Sequence, residues 1–145
     1  MSLDDPEWLY PAVQIAHTLG FIVLVGSVAI FDLRVLGLGR QISVRALSRF
    51  LLPWSLIALA VIVPTGLLMF SAHTDDLLEN RVFQLKMALI LAAGMNAAYF
   101  RTGPYMTVKS WDTNSAPPVL ARASVALSLM LWIGVVCCGR LLAYT

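Results

Sequence analysis

Four long apolar runs dominate the hydropathy pattern: about Pro11 to Leu36, Phe50 to Ala72, Val82 to Phe100 and Val119 to Leu142, with short polar segments between them. Each reaches the roughly 20 residues that an α-helix needs to cross a hydrocarbon core. Lipid offers no partner to backbone N–H and C=O groups, and strands apolar on both faces would not suit a barrel with a polar lumen. Helices are therefore expected. The pattern predicts an all-α protein, an integral-membrane four-helix bundle formed as one transmembrane domain over residues 1–145.

Composition strengthens this reading. Hydrophobic residues make up 59% of the chain and charged residues 12%, with a mean hydropathy of +0.81, whereas about a quarter of a soluble domain is charged. Charge placement adds an orientation. Arg34, Arg40, Arg45 and Arg49 lie between the first two runs, and Arg101, Lys109 and Arg122 accompany Asp112 between the last two. The opposite side carries Asp4, Asp5 and Glu7, then Asp75, Asp76 and Glu79 with Arg81. The positive-inside rule then predicts both termini outside, in the periplasm of a bacterium, and hence a multi-pass protein of the inner (cytoplasmic) membrane whose first partner is the lipid bilayer. Topology accounts for the basic loops, so no nucleic-acid partner is expected. The opening "MSLDDPEW" is acidic where a signal peptide is basic, and the first run is kept as a span. Trp8 and Tyr10 are expected as anchors at the outer headgroups, and Tyr105 and Trp111 at the inner ones. Adjacent Cys137 and Cys138 have no metal-type spacing and are read as small packing residues.

Candidate chemistry begins with His17 in "VQIAHTLGFIVLVG", an ionisable ring about two turns into the first span. Lys86, in "RVFQLKMALI", lies about a turn into the third span, which starts on the same side. Ionisable groups within spans are costly and normally face the bundle interior or a wet cavity, so two at similar depth point to one site. Gly20 and Phe21 share the face of His17, and Ala16 with Gly20 forms a small-xxx-small pair. Gly20 then leaves room either for a flat cofactor or for close contact with another helix. Two alternatives stand beside the site: a neutral packing histidine bonded to Ser55 or Thr65, and a Lys86 that snorkels to the interface.

Other polar positions read as structural. Asp32 is expected to pair with one of Arg34, Arg45 or Arg49, because an unpaired carboxylate at that depth is expensive. Pro64 predicts a kink near Ala60 to Pro64, and Gly94 with Asn96 predicts close helix packing with one polar contact.

The order of motifs resembles a known plan. A histidine in span one, an arginine near its inner end, "RALSRFLLPW" entering span two, "TGLL", and "FQLKMAL" opening span three are similar to the bacterial four-helix protoporphyrinogen IX oxidase family and its copper-resistance D-type relatives. "HTLG" followed by "DLRVLGLG" resembles still more closely an uncharacterised bacterial four-helix family. The first resemblance implies haem b held by the residues at positions His17 and Lys86, with Arg34 near the family's arginine. This chain departs from the oxidases in reading "LR" for "PR" and in having "AAGMNAAYFR" where a later histidine is expected.

Three functions follow. The first is a haem-b redox protein that transfers electrons or oxidises a porphyrin or quinol, with His17 and Lys86 as metal ligands and Gly20, Phe21, Leu24, Phe83 and Met87 around the macrocycle; Arg81 and Arg140 would meet its propionates. The second is a cofactor-free accessory subunit of a larger membrane complex, or a homo-oligomer. The third is a copper-handling protein using His17, Met69, His73 and Met87. Cys-x-x-Cys-His, a phosphate loop and a nucleophile constellation are missing from the sequence.

Overall fold

The computed structural model describes residues 7–142. Helix α1 runs Leu9–Leu36, α2 Val44–Ala72, α3 Thr74–Glu79, α4 Arg81–Thr102 and α5 Val119–Leu142, with a 3₁₀ helix at Pro104–Ser110. The four long helices are long and apolar enough to cross a membrane. Their outer surfaces carry large apolar side chains that water would not tolerate in such number; Leu67 is 63% exposed and Leu91 66%. Acidic Asp4 and Asp5 lie outside the described residues.

Packing sorts the helices into two tight hairpins, α1 with α2 and α4 with α5, joined along α1 and α5. Helices α2 and α4 face each other at wider spacing. Side chains bridge them: Phe70 stacks on Phe83 with ring centroids 5.7 Å apart, and Arg101 donates to the Ser48 hydroxyl at 2.9 Å. Short α3 sits at one end of the bundle. The loops 37–43 and 103–118 share the other, called here the loop end.

Small residues set the hairpin spacing. A Cβ on Gly20 would lie 3.0 Å from Ile62 Cγ1 and 3.3 Å from the Ala58 carbonyl oxygen, so this glycine lets α1 approach α2. Gly134 does the same against Leu89 across α4 and α5, at 3.1 Å. Asn96 donates to the Ser124 carbonyl at 2.8 Å and accepts from the Ser124 hydroxyl at 3.0 Å, the polar contact expected between these spans. Gly94 plays no part in it: it is exposed, and a Cβ there would meet nothing within 4 Å.

The tightest core lies at the loop end, where Val35, Val44, Phe100, Val108, Trp111, Ala121 and Val125 are buried together. Arg34, only 3% exposed, donates from Nε to the Ile42 carbonyl at 2.7 Å and from one Nη to those of Arg40 at 3.1 Å and Asp112 at 3.0 Å. One guanidinium thus ties the two loops together, satisfying the Ile42 carbonyl and adding a second donor to those of Arg40 and Asp112, which also accept from the Asn114 and Val44 amides. Gly37 (φ 126°) and Gly39 (φ 64°) turn the chain sharply so that these carbonyls point at it. The Asp112 carboxylate accepts from the Ser43 hydroxyl and from the Arg45 amide, both at 2.8 Å. Ser43 in turn accepts from the Ala46 amide at 3.1 Å as the N-cap of α2. This double cap starts α2 at Val44, six residues before the expected Phe50. Desolvation pushes the Asp112 carboxyl up, but the Arg45 amide, the Ser43 hydroxyl and the charges of Arg45 and Arg34 outweigh it and hold the group below the usual carboxylate range.

Two expectations are corrected here. Asp32 has no arginine partner among the described residues. It is 4% exposed, its side chain meets the Ser128 hydroxyl of α5, and its Oδ2 has no hydrogen bond. Two residues apart on one helix, Asp32 and Arg34 face different sides, and Arg34 is committed to carbonyls while Arg45 and Arg49 are exposed. Trp111 is a core residue, 2% exposed, with its indole N–H donated to the Thr107 hydroxyl at 3.0 Å. Tyr105 packs on Phe100 beneath the Arg101 guanidinium, 4.7 Å from the ring.

Candidate functional site

His17 lies in α1, two turns from the α3 end, and is partly buried against α2. Its Nδ1 is 3.0 Å from the Thr65 hydroxyl; Ser55 is not its partner. Gly66, the next residue, makes room for the ring: a Cβ there would lie 3.2 Å from His17 Cε1 and 3.7 Å from Nδ1. Of the two roles the sequence left open for Gly20, the structure shows the close contact with another helix, α2. The signal for Gly66 was its place after Pro64 and Thr65, which by itself did not say what it faced. α2 continues through Pro64, and Thr65 folds its hydroxyl back on the Val61 and Ile62 carbonyls at 2.6 and 3.1 Å.

Lys86 enters the same region from α4. It is partly buried, with Nζ 6.0 Å from the centroid of the Phe21 ring and 3.9 Å from where a Cβ on Gly139 would stand. Lys86 and His17 lie close enough to act on each other electrostatically, from different helices in the same half of the bundle. Phe21 adjoins Lys86 and meets the Trp132 ring edge-on at 6.3 Å. Buried Cys138, on α5, is within electrostatic reach of Lys86. Sequence reading missed Cys138 as a neighbour of the site because its partner is about fifty residues away in the chain.

Other candidates stand apart. Phe83 is taken up by its stack with Phe70. His73 is exposed at the end of α2, with its ring against Tyr10 at 5.3 Å, and Met87 is 41% exposed. Arg81, at the start of α4, is exposed. Among the described residues no three His, Cys, Asp or Glu side chains gather where they could hold one metal ion. A separate apolar crevice of about 190 Å³ lies between α1 and α5, lined by residues that include Val25, Val28, Trp132 and Val136.

No curated protein and no solved structure matches the chain. A family of unknown function, DUF6644, matches residues 9–145, which include all four long helices, His17, Lys86 and the loop end, and the chain belongs to that family.

Proposed function

We propose that this chain is a haem-b-binding redox protein of the bacterial inner membrane, with both termini on the periplasmic side, and that it transfers electrons or oxidises a porphyrin or quinol. One observation carries the reading: His17 and Lys86, on different helices, lie within electrostatic reach of each other in one half of the bundle, with Lys86 beside Phe21. The donor chemistry fits the group. A porphyrin brings four of its metal's six ligands and asks the protein for one or two; among the described residues no three His, Cys, Asp or Glu side chains gather to hold a bare ion. His17 would supply an imidazole, Lys86 an amine, and Phe21 an apolar wall. The iron would supply one-electron chemistry when bound. The resemblance of the sequence motifs to protoporphyrinogen IX oxidases and copper-resistance D-type proteins implies this pair of ligands.

The test is the absorption spectrum of protein purified with haem available. A Soret band is expected, lost in His17→Ala, altered in Lys86→Ala and kept in His73→Ala. Bound copper lost in His73→Ala and Met69→Ala would replace this reading with copper handling. A colourless, metal-free wild type recovered with partner subunits would make it an accessory subunit.

A further inference from the structure

A hydroxyl has one hydrogen to give, and at Thr65 its destination decides the state of His17. Thr65 Oγ1 stands 2.6 Å from the Val61 carbonyl oxygen and 3.1 Å from that of Ile62. Carbonyl oxygens only accept, so the hydroxyl hydrogen goes to the helix backbone, the i−4 back-bond that threonine commonly makes. The 3.0 Å contact with His17 Nδ1 is then a bond that the ring donates. Were Nδ1 the bare nitrogen, it would need the same hydrogen, and the Thr65 and Val61 oxygens would be left 2.6 Å apart with none between them.

We infer that Thr65 is a positioning residue that locks His17 in the Nδ1–H tautomer and leaves the lone pair of Nε2 as the open donor atom of the site. The pair Thr65-Gly66 is built for this: Thr65 clamps the ring, and Gly66 leaves the space that the ring edge fills. Ligating histidines are commonly held this way, through a hydrogen bond at the nitrogen away from the metal. The tautomer stands on the geometry alone; that Nε2 meets haem iron rests on the proposed function.

The experiment reads the tautomer without any cofactor. The chain has two histidines, so His73→Gln leaves one imidazole, whose ¹⁵N shifts in haem-free, ¹⁵N-histidine-labelled protein show which nitrogen bears hydrogen. With the ring neutral, Nδ1 is expected protonated and Nε2 bare. The near-isosteric Thr65→Val should move the population to Nε2–H, and Thr65→Ser should restore Nδ1–H. In parallel, haem titration should show Thr65→Val binding roughly 10–100-fold more weakly than wild type, with Thr65→Ser near wild type. An Nε2–H ring in the wild type, or a tautomer indifferent to Thr65→Val, overturns the inference even if haem binds. An Nδ1–H ring in a wild type that takes up no haem upholds the tautomer and sinks the haem reading instead.

Discussion

At the loop end, Arg34 spends its guanidinium on three carbonyls and Asp112 its carboxylate on a hydroxyl and an amide; near the α3 end, His17 makes one side-chain bond and Lys86 lies beside a ring and a glycine. Charge in the first region bonds the backbone of two loops at the same end of the bundle as the buried cluster of Trp111 and Val108. Charge in the second leaves donor atoms open. Both regions hold ionisable side chains in a largely apolar protein, so the presence of such a residue does not separate bracing from chemistry. What separates them is whether the side chain ties separate loops together: Arg34, through Nε and one Nη, and Asp112 each bond groups of the 37–43 loop or the start of α2, whereas His17 and Lys86 brace no loop.

The comparison breaks first at Arg34. Arg34→Ala leaves the Ile42 carbonyl without its donor and takes a second donor from those of Arg40 and Asp112, which keep the Asn114 and Val44 amides; an acceptor left unpaired out of reach of water costs about 1–3 kcal/mol. A loss of about 2–3 kcal/mol is expected, seen as a fall in thermal midpoint in detergent, with the His17 tautomer unchanged in whatever protein remains folded. A midpoint within a degree or two of wild type would show that the loop end is not held by this residue.

Next in size is Asp112→Asn, which weakens the cap on α2 by about 1 kcal/mol. Because the native carboxyl lies below the usual range, its contribution is complete above the pH where an unfolded aspartate ionises and fades as pH falls through the lowered native value. Wild-type stability should drop on acidification across that window, and Asp112→Asn should flatten the drop. Parallel acid profiles for the two proteins would remove Asp112 as the acid-sensitive tie.

The smallest effect is expected at Asp32. With no cation beside it and Oδ2 without a partner, Asp32→Asn keeps the shape and relieves the burial of a carboxyl. Its midpoint should stay within about 1 kcal/mol of wild type, or rise. A strong loss would mean that an arginine does pair with Asp32.

The spans were legible because lipid-length apolar runs have one economical conformation, and their order followed from short connections. That His17 and Lys86 share one half of the bundle was legible too, since both sit a countable number of turns from the same end. Asp32 misled because pairing was inferred from proximity in sequence, while Arg34, two residues on, points to another side of the helix. Trp111 misled because a tryptophan near a span end suits a headgroup anchor as well as a core under a loop. Asp112 and Ser43 could not be matched from the chain, being 69 residues apart.

The sequence by itself determined the four long apolar helices and how many turns from a helix end each ionisable residue lies, because these depend on run length and on 1.5 Å of rise per residue. Only the tertiary structure decided which residues are partners. A helix that is apolar all round gives no period to mark its inward face, so rotation about each axis is left to packing. That rotation turned Gly20 to α2, brought Thr65 and Gly66 to His17, and set Arg34 against carbonyls from two loops rather than against Asp32.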